Sequence, residues 1–327
     1  MHILKTALFI CMAVLLLQSC QKNVDDFIPN TVAGPDTSWV PLLTAASPVN
    51  ILRERLRLEF QHDSAELLGP NAINVITNGG LKITFTSTSF TILNGTTITG
   101  RIRFETLLLR RKGEFIRMGF PTVSNGKTMV SGGELLVTAR KDSNEIQIAQ
   151  GRNINLHYEQ TNTIQGLKIF NGINISTPQP FNWVLNPDTT NNKVYAVSGA
   201  YEIIINKLGW IHPGKIQDTT AILQTKITPV LPSHYTNANS QVFVSYNNQL
   251  SVTIMEPIVS GRMFRSLPVA VGAQVTVIVI SKMGEDYFLG HSAVTALQPT
   301  AINGLQQVQL NPVRTSLDNI KLYLNSL

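Results

Sequence analysis

The stretch "ITGRIRFETLLL", Ile98–Leu109, decides the fold class of this chain. The apolar side chains of Ile98, Ile102, Phe104 and Leu108 occupy alternate positions along it. A period of two is typical of a β-strand that buries one face and exposes the other. The arginines between these positions would then lie on the opposite, solvent-facing side.

Short segments with the same alternation lie on both sides of this strand, and Gly- and Asn-rich turns separate them. Short strands connected by such turns are typical of a β-sandwich, so we predict an all-β protein. In the first half of the chain, the candidate strands are Arg55–Phe60, Leu81–Phe85, Glu114–Phe120, Gly133–Arg140, Glu145–Ala149 and Asn153–Glu159.

The chain length of 327 residues favours two domains, which we predict to be two tandem β-sandwiches. The first is expected at 49–160 and the second at 196–312. The segment 161–195 is rich in proline and poor in pattern, which predicts a connection between them. "VTVIVI" at Val275–Ile280 is almost wholly apolar, so it is expected to be a central strand covered on both faces.

The last segment, 313–327, departs from this pattern. Leu317, Ile320, Leu324 and Leu327 recur at helical spacing, which predicts a short C-terminal amphipathic helix. We predict no other helix after the leader.

The first 20 residues, "MHILKTALFICMAVLLLQSC", combine Lys5 with an apolar core and a terminal Cys20. The core is too short to span a bilayer, and its length is that of a signal peptide. Leu17-Gln18-Ser19-Cys20 resembles the lipobox of bacterial lipoproteins. We therefore predict a lipoprotein signal peptide at 1–19 and lipidation of Cys20, which would attach the protein to a membrane. The alternative is an ordinary secretory signal with an incidental cysteine.

Composition limits the chemistry of the remaining chain. Cys11 and Cys20 are the two cysteines, so the folded part has no disulfide framework, Cys-based zinc site or cysteine nucleophile. The net charge of +6 is spread over scattered arginines rather than one aromatic-rich basic patch. This distribution argues against nucleic acid as a partner.

Residues 20–48 contain several prolines without periodicity, which predicts a flexible tether. "QKNVDD" after the cysteine resembles the acidic signal that sends Bacteroidota lipoproteins to the outer face of the outer membrane. The alternative is a solvated linker with arbitrary charges.

The histidines after the leader lack metal-ligand spacing, and no nucleophile elbow or phosphate-binding glycine loop is present in the sequence. The few carboxylates do not point to a catalytic pair. We therefore predict no catalytic residue, no metal and no cofactor, and a protein that is not an enzyme. The five histidines are His62, His157, His212, His234 and His291.

Five arginines form a candidate face for an anionic ligand. Arg53, Arg55 and Arg57 alternate along one predicted strand, and Arg101 and Arg103 along another. Guanidinium groups match the geometry of carboxylate and phosphate. The alternative is a solubilising sheet face whose arginines are balanced by neighbouring glutamates.

Three segments, Thr99–Glu105, Ser124–Leu156 and Tyr201–Ile216, resemble a group of uncharacterised Bacteroidota surface lipoproteins with tandem β-sandwich domains. The third contains Leu208-Gly209-Trp210-Ile211, which matches a recurrent segment of that group. The first domain is also distantly similar to the ZU5 β-sandwich, a protein-interaction module. The resemblance implies a fold and an outer-membrane, cell-surface location, but not a reaction.

The expected function is therefore a lipid-anchored, non-catalytic binding or scaffold module with a surface protein or glycan as partner. A fimbrillin-like adhesin or pilus subunit, cleaved at Arg53 or Arg55 to free an edge groove, is the alternative. A glycan- or peptide-acting hydrolase is the third.

Overall fold

Alternating apolar side chains produce the strands that dominate the computed structural model. It describes residues 36–69, 71–92, 95–173, 181–219, 222–298 and 304–327. The predicted signal peptide, Cys20 and the first part of the tether lie outside these residues. The segment Ser38–Leu327 forms one compact unit.

The described residues contain 25 strands, three α-helices and one short 3₁₀ helix at Val259–Gly261. The helices are α1 (Pro48–Leu56), α2 (Lys112–Met118) and α3 (Leu317–Asn325). The strands are β1 (Gln61–Leu67), β2 (Ile73–Ile76), β3 (Lys82–Phe85), β4 (Phe90–Ile92), β5 (Gly100–Leu109), β6 (Val123–Ser124), β7 (Lys127–Ser131), β8 (Glu134–Lys141), β9 (Asn144–Ile148), β10 (Ile154–Glu159), β11 (Lys168–Ile173), β12 (Asn182–Leu185), β13 (Lys193–Val197), β14 (Ala200–Ile205), β15 (Gly209–Ile216), β16 (Gln224–Val230), β17 (Ser240–Tyr246), β18 (Val252–Ile254), β19 (Glu256–Ile258), β20 (Met263–Arg265), β21 (Val269–Ala270), β22 (Gln274–Met283), β23 (Asp286–Thr295), β24 (Leu305–Gln309) and β25 (Val313–Thr315).

Two sheets pack face to face in the first part of the chain. The large sheet has the order β1-β5-β8-β15-β11-β12, with four short strands attached to it. The small sheet has the order β13-β14-β10-β3-β2 and is antiparallel throughout. Their inward side chains, among them Phe104, Leu156 and Ile203, form one buried cluster. This arrangement is sandwich-like, and the predicted all-β class is confirmed.

The second part contains the C-terminal sheet, in the order β18-β17-β22-β23-β25, and a three-stranded sheet, β21-β16-β24. The predicted central strand is confirmed, because β22 pairs on both sides and Val275–Ile280 is largely buried. Met283 and Asp286 close a two-residue hairpin turn. In the three-stranded sheet, β16 and β24 are parallel.

The three helices fill the space between the large sheet and the C-terminal sheet. Leu52 of α1, Phe115 of α2 and Ile320 of α3 share one apolar cluster with Trp210 of the large sheet and Ile278 of the C-terminal sheet. Because both parts of the chain contribute to this cluster, the two sandwiches have a core in common.

The strands after residue 196 do not all belong to the C-terminal sheets. β14 pairs with β10 along its whole length, and β15 pairs with β8 and β11. Strand β11, inside the expected connection 161–195, also belongs to the large sheet. The first sandwich therefore extends to Ile216, and the expected boundary at 196 falls inside it.

Two segments expected as strands are wholly or partly helical instead. Residues 48–56 form α1 because Val49, Leu52 and Leu56 recur at helical spacing and are all buried, after Pro48 at the helix start. Lys112–Met118 forms α2, which Gly119 ends in a left-handed conformation with φ of 71°.

The C-terminal helix is confirmed as α3. The Ser316 side chain caps it by accepting a hydrogen bond from the backbone N–H of Asn319 (3.1 Å), and Ile320 and Leu324 are buried. No helix within the described residues combines the length and the apolar character needed to cross a bilayer.

The last part of the expected tether, 38–48, is docked rather than free. The Trp39 ring packs on Phe264 with centroids 4.9 Å apart, and the backbone of Val40 exchanges two hydrogen bonds with the Asn237 side chain. The chain is therefore fixed to the C-terminal part before α1 begins.

Candidate anion-binding cleft

The first three arginines of the expected face do not share a surface. On α1, residues two positions apart point about 200° apart, so Arg53 and Arg55 diverge. Arg53 is half-buried and donates to the Asn50 side-chain oxygen (3.0 Å), and burial lowers its pKa. Arg57 follows the helix and lies over the Phe60 ring. The expectation of one strand face at these positions was wrong, because this segment is helical.

The packing of α1 also bears on cleavage at Arg53 or Arg55. Both residues lie within the helix, which packs on β17, β22 and α2 through its buried face. A protease needs an extended backbone, which this helical segment does not offer in the folded protein.

Arg101 and Arg103 do share one face, as their alternation predicts. Both are exposed on β5, whose register with β1 places Ser64 beside Arg103 and Glu66 beside Arg101. The Arg101 guanidinium donates two hydrogen bonds to the Ser64 hydroxyl, at 3.1 and 2.7 Å. These bonds hold Arg101 across the strand pair.

A further arginine joins this face from the neighbouring strand. The register of β5 with β8 places Arg103 directly opposite Arg140. Like charges in directly opposite positions are destabilising unless something compensates them. Glu145 compensates Arg140 through an ion pair at 3.1 Å, whereas Arg103 has no ion pair or side-chain hydrogen bond with the described residues.

These side chains line an open cleft of about 590 Å³ at the edge of the large sheet. Asp63 also borders the cleft, but its position opposite the buried Phe104 directs its side chain to the inner face of the sheet, where one carboxylate oxygen is shielded from solvent and has no partner among the described residues. Because Glu66 and Glu105 also flank the arginines, the face is close to charge-balanced. The cleft therefore suits one carboxylate, phosphate or sulfate group at Arg103 better than a polyanion. Its lining is His62, Asp63, Ser64, Arg101, Arg103 and Phe104.

The other basic residues near α2 are occupied by structural contacts. Arg117 donates to the carbonyl oxygen of Leu56 at the end of α1 (2.8 Å), and Lys112 donates to that of Tyr246 (2.9 Å). Arg110 donates to the Glu159 carbonyl oxygen (2.9 Å). These side chains join elements of the fold and do not extend the basic face.

Two further clefts lie in the described part of the chain. One, of about 520 Å³, is lined by Glu159, Arg110 and Arg111, and the other, of about 240 Å³, includes Asp218. The lining of each of these three clefts contains one aspartate or glutamate residue, whereas a glycosidase site uses two facing carboxylates.

One buried pair of titratable residues was not indicated by the sequence alone. Glu134 of β8 and His212 of β15 each lie one residue beyond the paired Leu135 and Ile211. Both are fully buried in the shared core, and their side-chain polar atoms have no hydrogen-bond partner among the described residues. His212 lies within β15, where Trp210, Ile211 and His212 are all buried because both faces of the strand are covered.

Burial determines the protonation of both groups. It raises the pKa of Glu134 well above its usual value and lowers that of His212 to about 3. Burial is the larger cause of the Glu134 shift, and the Trp183 side chain opposes it to a smaller extent. The indole N–H of Trp183 donates to the Pro121 carbonyl (3.0 Å). Burial therefore keeps the His212 imidazole neutral at pH 7 and favours the protonated, neutral form of Glu134. Both side chains lie in packed apolar surroundings rather than in one of the three clefts.

Comparisons with known proteins add no evidence to this geometry. No protein-family model matches the sequence, and no curated protein matches it.

Proposed function

We propose that this chain is a lipid-anchored β-sandwich protein of the outer membrane or cell surface. In this proposal it acts as a non-catalytic binding or scaffold module for a surface protein or glycan. The lipobox-like sequence ending at Cys20 supports the anchor. The sandwich-like fold supports a binding role, since such sheets present broad faces to partners.

The proposed contact is the cleft at Arg101 and Arg103. The observation that carries it is the exposed Arg103 guanidinium, which faces Arg140 and forms no ion pair with the described residues. An anionic group of the partner would complete such a pair, with the Ser64 hydroxyl and Arg101 beside it.

Retention on heparin, which carries sulfate and carboxylate groups, tests this contact. Arg103→Ser should weaken binding about tenfold, because a hydrogen-bonded charge contact contributes about 1.5 kcal/mol. Arg55→Ser, an exposed arginine on α1, is the matched control and should leave retention unchanged. Equal retention of wild type and Arg103→Ser would reject the cleft as the contact.

The anchor has its own test. Cys20→Ala should abolish metabolic labelling with palmitate and release the protein from the membrane fraction. Unchanged labelling would show that Cys20 is not the attachment site.

A further inference from the structure

The outer face of the small sheet carries a row of five residues, one from each strand. Strand registers place Tyr195 beside Glu202, Glu202 beside His157, His157 beside Lys82, and Lys82 beside Ile76. The row therefore reads apolar, acidic, His, basic, apolar from one sheet edge to the other.

The described part of the chain leaves this row open to solvent. Tyr195 and Ile76, at the two ends, are 47% and 70% exposed although both are large and apolar. In the middle, His157 Nδ1 and Glu202 Oε1 are 2.6 Å apart. Lys82, on the other side of His157, has no ion pair with the described residues.

The order of the residues makes this row complementary to itself. Consider a second copy whose small sheet faces that of the first across a two-fold axis. The axis runs parallel to β10, midway between the two facing sheets. Rotation about it exchanges the two ends of the row. Glu202 of the second copy then lies over Lys82, and Tyr195 of the second copy lies over Ile76. An isologous contact requires this kind of self-complementarity.

We infer that the outer face of the small sheet binds the same face of a second copy of this chain. The contact pairs the opposite charges of Lys82 and Glu202 twice and covers the exposed apolar ends twice. It is independent of the cleft at Arg103.

The size of the face sets the strength of the contact. The five strands together are about 19 Å wide, and they are short. A contact over a face of this size buries less than the roughly 1,200 Å² of a standard stable interface. The contact is therefore weak between freely diffusing molecules. Confinement of both copies to one membrane would raise their effective concentration and favour it.

Thiol cross-linking in the full-length chain in its native envelope tests the arrangement. Facing sheets lie about 10 Å apart, so Ile76→Cys/Tyr195→Cys should give a covalent dimer with a bismaleimide reagent that spans about 10 Å, seen on a denaturing gel. The two positions lie about 19 Å apart within one copy, beyond the reach of that reagent. The native cysteines are Cys11 and Cys20, both in the leader region.

Two controls make the result specific. Ile76→Cys alone should not form the dimer, since the axis places the two copies of position 76 at opposite ends of the row. Leu322→Cys/Tyr195→Cys uses an equally exposed position, 69% accessible on α3. Cross-linking of the Ile76 pair no faster than this control overturns the inference.

Charge reversal tests the register of the contact. In the Ile76→Cys/Tyr195→Cys background, Lys82→Glu or Glu202→Lys alone should reduce cross-linking several-fold. Combining both reversals should restore it, because opposite charges again meet across the axis. Failure of the combination to restore cross-linking overturns the proposed pairing of Lys82 with Glu202.

Discussion

At the scale of single residues, the His212 imidazole is a group whose protonation the fold controls. Its pKa of about 3 in the folded state lies below its ordinary value of 6.5 because burial opposes the charge. Between these values the unfolded chain binds a proton that the folded chain does not. The free energy of unfolding should therefore fall as pH decreases from 6.5 towards 3, by about 1.4 kcal/mol per pH unit.

Replacing the imidazole tests this assignment. His212→Phe should remove this part of the acid sensitivity, measured as the difference in urea midpoint between pH 7 and pH 5. His62→Gln, at an exposed position, serves as the control and should keep the wild-type slope. A His212→Phe profile parallel to the wild type would mean that the histidine is not held neutral by burial.

Glu134 changes the stability of the fold with pH in the opposite direction to His212. Burial raises the pKa of its carboxyl well above 4.5, so above pH 4.5 the unfolded chain releases a proton that the folded chain keeps. Its contribution to stability therefore declines as pH rises. Glu134→Gln keeps the shape without the ionisation, and its stability relative to wild type should be greater at pH 8 than at pH 5. Chemical unfolding at both values measures this, and an equal difference at the two would contradict it.

At the scale of elements, the contact between α2 and α3 depends on one glycine. A Cβ at Gly113 would lie 1.7 Å from the carbonyl oxygen of Leu324, a backbone atom that cannot move alone. Gly113→Ala should therefore destabilise the protein by about 2 kcal/mol or more and displace α3. Thermal unfolding measures this. Gly261→Ala, where the nearest atom is the flexible end of Met263, is the control and should change stability much less.

The elements differ in how far the sequence predicts them. The strands around Phe104 and Val277 follow from local alternation because each buries a face that its own residues define. Strand β1 was missed because it lies at a sheet edge and buries little apolar surface. Helix α1 was missed because alternation from Arg55 onward overlaps the helical spacing of its buried residues, and contacts with β17 and β22 decide between them.

The candidate cleft shows the same limit. The shared face of Arg101 and Arg103 follows from the period of one strand. The positions of Ser64 and Arg140 beside them depend on pairings between strands distant in sequence, which one sequence does not reveal. Pairings of this kind also place Glu134 and His212 on neighbouring strands.

At the scale of the whole molecule, the strand pairings that cross residue 160 determine what can fold alone. The segment 49–160 contains β8 and β10, but their partners β14 and β15 follow residue 199. Without these partners, the inward side chains of Tyr201, Ile203 and Ile211 are missing from the first core. That segment should therefore lack enough buried surface to offset its conformational entropy.

Expressing 49–160 beside 38–327 tests this expectation. The longer chain should show one cooperative unfolding transition, with far-UV circular dichroism and tryptophan fluorescence coinciding, because Trp183 and Trp210 lie in the core that both sandwiches share. The shorter chain should show no cooperative transition. A native-like sheet spectrum and a sharp transition for 49–160 would instead make it an autonomous domain and limit the shared core to a contact between two independent sandwiches.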